Sequence, residues 1–214
     1  MQLLFDFDGT LVNSFRCVME KTILLAEEFK FRKIQEHEIE SLRDLSSRDI
    51  IKYLKIPMYK IPKLIHSMRK HLQEEMIKLP PFPDMNNTLK ILRDSGFSMG
   101  IMTSNSIDNV LTWLEHHNMH DYFNFIQTEA NYFSKKYLLK KILKARDFDK
   151  SQIVYICDET RDIDAATQNE VKSIAVTWGY NSEKALTSFK PTYIARQPED
   201  ILTICKPWNT SLIG

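Results

Sequence analysis

The sequence has few cysteines, no long apolar run and no excess of either charge, and each absence excludes a class of protein. Cys17, Cys157 and Cys205 are odd in number and show no Cys-x-x-Cys spacing, which argues against a disulfide framework or a cysteine metal site. No apolar run approaches the roughly 18 residues of a membrane span. The 29 Lys plus Arg and 28 Asp plus Glu leave a net charge of +1, which gives no field to attract nucleic acid or an anionic membrane.

An acidic motif already begins at Asp6, which leaves no room for a secretory leader before it. Together with the unpaired cysteines, this predicts a cytoplasmic protein that binds neither nucleic acid nor membrane. The 214 residues suffice for one large domain, or for one domain that carries a smaller insertion.

Predicted strands and helices alternate over most of the chain. Short apolar runs typical of buried strands occur at 3–7, 97–102, 123–127, 153–157 and 173–176. Apolar residues at a spacing of three to four predict helices at 86–94, 107–117, 136–145 and 162–169. This alternation predicts an α/β fold with a doubly wound, mostly parallel sheet.

Residues 14–80 interrupt the alternation, because their apolar side chains follow helical periods with no strand between them. Pro80, Pro81 and Pro83 mark the end of this block, since proline cannot continue a helix. We therefore expect a core domain of residues 1–13 and 81–214, and an inserted all-helical cap domain of residues 14–80. A cap joined just after the first strand can cover the carboxyl edge of the sheet, where such folds bind ligands.

Two carboxylates, Asp6 and Asp8, stand at the end of the first predicted strand, before Gly9 and Thr10. Side chains two residues apart point to one side of a strand. Burying two like charges is costly, and a divalent cation offsets the cost while it neutralises the oxygens of a phosphate. One carboxylate can then attack phosphorus while the other moves protons. Alone, the pair also fits an ordinary turn, in which Asp and Gly are favoured.

Two further motifs fit the same chemistry. Thr103, Ser104 and Asn105 end a second apolar strand with a hydroxyl and backbone amides that suit phosphate oxygens. Lys135 and Lys136 begin a helix, where an ammonium group can neutralise a nucleophile and a transferring phosphate. Taken alone, the motif at Thr103 fits a common helix cap, and the lysine pair fits the solvated face of a helix.

An acidic cluster of Asp158, Glu159 and Asp162 follows another strand and offers the oxygen ligands that magnesium prefers. The motifs at Asp6, Thr103, Lys135 and Asp158 are each weak evidence of phosphate chemistry alone, but their occurrence in this order is strong evidence together. With its Asp-Phe-Asp-Gly-Thr start at Asp6, the sequence resembles the haloacid dehalogenase-like hydrolase superfamily over nearly the whole chain. It is most similar to the phosphoglycolate-phosphatase-like branch, which has a helical cap.

The resemblance implies a role for each motif. Asp6 matches the nucleophile that becomes an aspartyl phosphate, and Asp8 matches the general acid and base. Thr103 matches the hydroxyl of the second motif, beside the phosphate-binding Ser104 and Asn105. Lys135 is the preferred lysine of the third motif.

The resemblance also implies a bound Mg²⁺. Its implied ligands are the Asp6 carboxylate, the Asp8 carbonyl oxygen and Asp158. Asp162 lies nearby in this pattern and Glu159 further out. Gly9 and Thr10 are expected to support the loop, and Lys136 aligns almost as well as Lys135.

Cys157 stands where the family usually has glycine, ahead of the acidic motif. A cysteine nucleophile is less supported than the aspartates, because no histidine lies near Cys157 in the sequence.

We therefore expect a magnesium-dependent phosphatase that hydrolyses a small phosphorylated metabolite through an aspartyl phosphate. A sugar phosphomutase of the same superfamily shares every core motif. A non-catalytic module that binds a phosphorylated ligand is the alternative from another class. Monomer and homodimer are both compatible with the sequence.

Overall fold

The fold is taken from a computed structural model that describes residues 1–128 and 135–208, the side chain of Glu74 excepted. Among these residues, one sheet contains six strands in the order β3-β2-β1-β4-β5-β6. All neighbouring strands are parallel. The strands are β1 (Gln2–Phe5), β2 (Ser98–Thr103), β3 (Phe125–Thr128), β4 (Ile153–Cys157), β5 (Lys172–Val176) and β6 (Tyr193–Ala195).

Helices connect the strands and flank the sheet. The α-helices are α1 (Phe15–Phe29), α2 (Ile39–Leu42), α3 (Ser47–Tyr53), α4 (Ile61–Glu75), α5 (Met85–Asp94), α6 (Ile107–His116), α7 (Lys135–Ala145), α8 (Thr160–Gln168), α9 (Glu183–Ser188) and α10 (Pro198–Cys205). Short 3₁₀ turns lie at Glu36–Glu38, Met58–Lys60, Met76–Lys78, His120–Tyr122, Lys150–Gln152 and Lys206–Trp208. No helix in the described part of the chain is long and apolar enough to cross a lipid bilayer.

The strand order brings β1 and β4 side by side, with Phe5 opposite Ile156. From β1 the chain proceeds to β2 and β3 on one side, and later to β4, β5 and β6 on the other. Parallel sheets bind ligands outside the carboxyl ends of their strands at such a reversal point. The ends of β1 and β4 are therefore where a site is expected.

Alternate side chains of the strands form two apolar layers, one on each face of the sheet. Leu3 and Phe5 join a buried cluster with Trp113 of α6, whereas Leu4 joins a second cluster with Leu139 of α7. Both faces of the sheet are thus covered by helices, which explains why its strands are continuous apolar runs.

The predicted α/β fold is confirmed, and the five predicted strands agree with the structure to within two residues. The first strand ends at Phe5, two residues before the predicted end. The chain reverses there, because the N–H groups of Thr10, Leu11 and Val12 all donate to the carbonyl of Phe7. The edge strand β6 was not predicted, since its three residues, of which only Ala195 is buried, are too few to form an apolar run.

The helices α1 to α4 lie between β1 and α5 and have an apolar cluster of their own. Its buried members are Ile34, Leu42, Leu54, Ile56 and Ile61. The division into a core and a cap stays a prediction.

The two connectors to these helices are paired with each other. Val12 and Pro81 form an antiparallel bridge. The N–H of Asn13 donates to the carbonyl of Pro80, and the N–H of Phe82 donates to that of Leu11. The chain thus leaves and rejoins the sheet at one point.

Glu38 fixes the segment between α1 and α3. Its carboxylate accepts hydrogen bonds from the Arg32 guanidinium, the Tyr53 hydroxyl and the Gln35 N–H. These bonds, that from Arg32 above all, lower the pKa of Glu38 from 4.5 to about 2. A carboxyl whose pKa is lowered by folding stabilises the folded protein above its unfolded pKa and loses that contribution as the pH falls.

We expect Glu38→Gln to lower the free energy of unfolding at pH 7. The difference from the parent should shrink as the pH falls from about 4.5 towards 2, because the parent carboxyl is then protonated as well. Urea denaturation of both proteins between about pH 3 and pH 7 measures this difference. The exposed Glu28 of α1 provides the control variant Glu28→Gln, and a difference that does not change with pH would contradict the prediction.

Candidate active site

Asp6 and Asp8 follow the first strand and lie at the carboxyl edge of the sheet. The Asp6 N–H still donates to the carbonyl of Ile156 in β4, at 2.9 Å, so the backbone of Asp6 is fixed beside that strand. Gly9 then turns the chain back with φ +76°, a conformation that favours glycine. Asp6 is 3% exposed, whereas Asp8 is partly exposed towards the helices α1 to α4.

Lys135 contacts the Asp6 carboxylate directly. Its ammonium nitrogen lies 2.8 Å from Asp6 Oδ1 and 3.2 Å from Asp162 Oδ1. It also donates to the Tyr155 hydroxyl at 2.9 Å and to the carbonyl of Met102 at 3.3 Å. Lys135 is 4% exposed, so this buried cation has an oxygen partner in every direction in which it donates.

Charge keeps Lys135 protonated. Burial alone would disfavour the ammonium, but the carboxylates of Asp162 and Asp6 outweigh it and raise the pKa of Lys135. The neighbouring Lys136 is exposed, so only Lys135 lies in the site. The loop 131–134, which led the prediction to prefer Lys135, lies outside the described residues.

Asp8 is positioned by the second motif. Asn105 Nδ2 donates to Asp8 Oδ2 at 2.8 Å, while the Asn105 N–H donates to the Thr103 hydroxyl at 2.9 Å. Asp8 Oδ1 is buried with no hydrogen-bond partner. Burial raises the pKa of Asp8, against the opposing effects of the hydrogen bond from Asn105, of the Ser14 hydroxyl nearby and of the charge of Lys135. Asp8 can therefore hold a proton at a higher pH than an ordinary aspartate.

Asp158 lies at the end of β4 and is completely buried. The Thr10 hydroxyl donates to its Oδ1 at 2.8 Å, and the Tyr180 N–H donates to its Oδ2 at 2.7 Å. A Cβ atom on Gly9 or on Gly179 would overlap this carboxylate. The two glycines thus allow the backbone on both sides to approach Asp158 closely.

Acidic groups outnumber cations in the site. Asp6, Glu159 and Asp162 each bring one carboxylate oxygen within 4.8 Å of the others, and Asp8 and Asp158 lie beside them. Lys135 and Arg161 are the cations paired with this cluster among the described residues. Burial raises the pKa of Asp162 to about 6, although Lys135 opposes this, and burial also raises the pKa of Asp158.

The donor set fits a divalent cation. Five carboxylates converge at the ends of β1 and β4, and the buried oxygens of Asp8 and Asp162 include some without a hydrogen-bond donor. Hard cations such as Mg²⁺ prefer oxygen ligands of this kind. In this arrangement both oxygens of Asp158 accept hydrogen bonds, whereas Asp8 Oδ1 has no donor.

The remaining predicted residues lie around the same edge. Thr103 is 1% exposed, and Ser104 is partly buried with its carbonyl accepting a bond from Arg69 of α4. Cys157 is buried in the apolar layer, and burial raises the pKa of its thiol well above the ordinary value. A reactive thiolate is therefore not supported.

Sequence reasoning did not predict the contacts that join the helices α1 to α4 to the site. Ser47 of α3 donates to Glu159 Oε2 at 2.7 Å. Arg43 donates to the carbonyls of Gly179 and Tyr180, and Asn181 Nδ2 donates to the carbonyl of Arg43. The sequence gives no signal for these pairs, because they join positions more than 100 residues apart.

A cavity of about 250 Å³ opens above the carboxylates. Asp6, Asp8 and Thr103 line its floor, and side chains of α1, α3 and α4 line its walls. The site is therefore covered by these helices, with room for a small molecule between them and the sheet.

Comparison with known proteins links this arrangement to one family. Residues 3–176 match the model of the haloacid dehalogenase-like hydrolases. The chain is 30% identical over 200 residues to a phosphoglycolate phosphatase of Synechococcus elongatus, a match that covers 94% of each protein. It is 23% identical over 206 residues to the pyrophosphatase PpaX of Halalkalibacterium halodurans, which covers 94% of this chain and 95% of that protein.

Solved structures share the fold at lower identity. The structure of a predicted phosphatase from Clostridium acetobutylicum superposes with a TM-score of 0.83 at 19% identity, covering 96% of this chain and 98% of that one. A haloacid dehalogenase-like family protein from Streptococcus pneumoniae gives a TM-score of 0.78 at 19% identity, covering 95% and 97%. The arrangement of sheet and covering helices is thus shared over nearly the whole chain.

The raised pKa values of the buried site carboxyls lead to a prediction for the metal-free protein, which EDTA provides. A carboxyl whose pKa rises on folding binds its proton more tightly in the folded chain, so it favours folding at low pH and opposes it as the pH rises. For Asp162 this change runs from 3.8 to about 6, and Asp8 and Asp158 shift in the same direction. The free energy of unfolding should therefore fall between about pH 4 and pH 6, that is, between the unfolded and the folded pKa of Asp162.

Urea denaturation in EDTA across this pH range measures the effect. Asp162→Asn should reduce the slope, because it removes one of the titrating groups. Asp164→Asn provides the control on the same helix, since Asp164 is exposed and bonded to Gln168. A stability that rises with pH in the parent protein would contradict the prediction.

Proposed function

Because the chain belongs to the haloacid dehalogenase-like hydrolases, we propose that it is a magnesium-dependent phosphatase that hydrolyses a small phosphate monoester through an aspartyl phosphate on Asp6. The names of two relatives, a phosphoglycolate phosphatase and a pyrophosphatase, support phosphate as the group transferred. We further propose a cytoplasmic location, to which the free Cys17, Cys157 and Cys205 are suited.

One observation carries the proposal. The buried Asp6 carboxylate is held by Lys135 and by the N–H of Phe7, both at 2.8 Å from Oδ1. The other oxygen of this carboxylate, Asp6 Oδ2, is the proposed nucleophile. Asp8, with a raised pKa, lies two residues further and lines the same cavity. A fixed nucleophile beside a carboxyl that can hold a proton is what hydrolysis in two steps requires.

In the first step, Asp6 Oδ2 attacks phosphorus in line with the ester bond. The new bond joins Asp6 to the phosphoryl group as the bond from phosphorus to the ester oxygen breaks, and Asp8 donates its proton to the departing alkoxide. Lys135 neutralises charge on Asp6, while Thr103 offers its hydroxyl and Ser104 its N–H to the phosphoryl oxygens. Asn105 lies beside the phosphoryl group and bonds to Thr103 and Asp8.

In the second step, Asp8 is ionised and acts as base. It takes a proton from a water molecule, whose oxygen attacks phosphorus and releases Asp6 and inorganic phosphate. The bond from Asn105 Nδ2 to Asp8 Oδ2 fixes one carboxylate oxygen, so the unpartnered Oδ1 is the one that exchanges protons with the leaving group and with water.

The proposed ligands of Mg²⁺ are the Asp6 carboxylate, the Asp8 carbonyl oxygen and Asp158, with Asp162 and Glu159 nearby. When bound, the cation neutralises negative charge on the phosphate and the carboxylates. Gly9 and Thr10 support this set, because Gly9 lets the loop approach Asp158 and Thr10 bonds to it.

We expect Asp6→Asn to reduce phosphate release from a panel of small phosphate esters to background, because the amide is a poor nucleophile. The parent enzyme should lose activity in EDTA and regain it with added Mg²⁺. Phosphate release measured for both proteins tests this, with Asp164→Asn as the control for an exposed aspartate. Turnover by Asp6→Asn at the parent rate would overturn the mechanism, and a parent that releases no phosphate would favour the mutase or the binding module.

Asp8→Asn separates the two proton transfers. An alkyl phosphate needs an acid for its departing alkoxide, so its turnover should fall by about 10²–10⁴-fold. Nitrophenyl phosphate needs no acid in the first step, because nitrophenolate leaves unaided, but its aspartyl phosphate still needs a base.

The variant should therefore release about one equivalent of nitrophenolate per enzyme in a burst and then stall. Stopped-flow absorbance measures the burst. Equal losses on both substrates without a burst would argue against Asp8 as acid and base.

A further inference from the structure

We propose that the ester hydrolysed at this site is that of an apolar alcohol, whose hydrocarbon part occupies the cavity between α1, α3 and α4. The inference rests on the proposed phosphatase function and names its substrate class. It is carried by the shape and lining of the cavity, which connects the catalytic carboxylates with the interior of the covering helices.

The cavity continues directly from Asp6 and Asp8 into the apolar cluster of the covering helices. Its volume of about 250 Å³ is close to the lower end of the roughly 300–1,000 Å³ found for small-molecule pockets. A phosphate group placed at Asp6 would therefore have its alcohol pointing between the helices, because the sheet closes the other side.

The apolar walls of the cavity include side chains that remain partly exposed. They come from three different helices and do not fill the space between them. Examples are Val18 of α1, Ile51 of α3 and Ile65 of α4. A sugar or a short polyol in this space would leave hydroxyl groups without hydrogen-bond partners, which is unfavourable, whereas a hydrocarbon would bury apolar surface.

The polar lining is concentrated at the end near the carboxylates, and its cations are already engaged. Arg43 donates to two backbone carbonyls, Arg69 donates to the carbonyl of Ser104, and Arg161 pairs with Glu159. A second anionic group on the substrate, such as the carboxylate of phosphoglycolate, would have to displace one of these partners. An uncharged alcohol can bind without displacing any of these partners.

The expected gain in affinity with the length of the hydrocarbon chain follows from the free energy of transferring methylene groups out of water. Each buried methylene should strengthen binding by about three- to fourfold until the cavity is full. A polar substituent of the same length should give no such increase.

The probes are alkylphosphonates, which have the phosphate-like head group but a carbon–phosphorus bond that the proposed mechanism does not break. Calorimetric titration in Mg²⁺ buffer compares methyl-, propyl-, pentyl- and heptylphosphonate with phosphonoacetate. We expect the affinity to rise by about three- to fourfold per methylene, with an increasingly negative heat-capacity change. The corresponding alkyl phosphates are assayed in parallel for phosphate release.

Two variants that fill the cavity test the location, and a third provides the control. Val18→Phe and Ile51→Phe should each reduce the ratio of pentyl- to methylphosphonate affinity by about tenfold or more. Leu24→Phe on α1 should keep the parent ratio, since Leu24 is 56% exposed and does not line the cavity. Two filling variants on different helices keep the test valid if one of them fails to fold.

The outcomes separate this inference from the function on which it rests. An affinity independent of chain length, together with turnover of phosphoglycolate, would overturn the apolar alcohol and leave the phosphatase intact. Chain-length-dependent binding without release of phosphate from any ester would overturn the phosphatase and, with it, the substrate. A rising affinity matched by rising kcat/KM on the alkyl phosphates would support both.

Discussion

Lys135 places one buried ammonium group against the carboxylates of Asp6 and Asp162 and the hydroxyl of Tyr155. Burial, and after it the repulsion between neighbouring carboxylates, raises the pKa values of Asp158 and Asp162. The acidic groups also exceed the cations beside them, so the folded site is electrostatically unfavourable by itself. Lys135 offsets part of that repulsion and at the same time fixes the nucleophile. Removing a buried charge of this kind typically costs about 3–5 kcal/mol, because its partners are left unpaired. Stability and reactivity here depend on the same nitrogen atom.

The covering helices are bound to the residues that perform the proposed chemistry. Ser47 donates to Glu159, and Asn181 holds both the Arg43 carbonyl and the N–H of Thr160 at the start of α8. Any displacement of these helices from the sheet therefore breaks hydrogen bonds at the acidic cluster. The position of the helices and the arrangement of the carboxylates are coupled through a small number of polar contacts.

The sequence predicted the parts of the site that lie within single strands. Asp6 and Asp158 follow β1 and β4, whose buried apolar runs are visible without a structure, and strand order then brings them together. Lys135 was preferred over Lys136, and the structure buries the first and exposes the second.

The contacts of the covering helices could not be predicted in this way. The bonds of Arg43 and Ser47 join segments that lie far apart in the chain, and such pairs leave no periodic pattern in the sequence. The cavity had no sequence signal either, because Val18, Ile51 and Ile65 look like ordinary apolar core positions. The spacing of apolar residues in the sequence identifies buried positions, but it does not show whether their side chains pack against one another or line a cavity. The edge strand β6 was missed because its three residues, of which only Ala195 is buried, are too few to form an apolar run.

The paired connectors at Val12 and Pro81 have a mechanical consequence. Two adjacent chain segments joined by backbone hydrogen bonds bend readily across their plane but resist sliding past each other. A displacement of α1 to α4 along the edge of the sheet would therefore break these backbone bonds, whereas a tilt about the two connectors would keep them. The pairing thus fixes the register between these helices and the edge of the sheet.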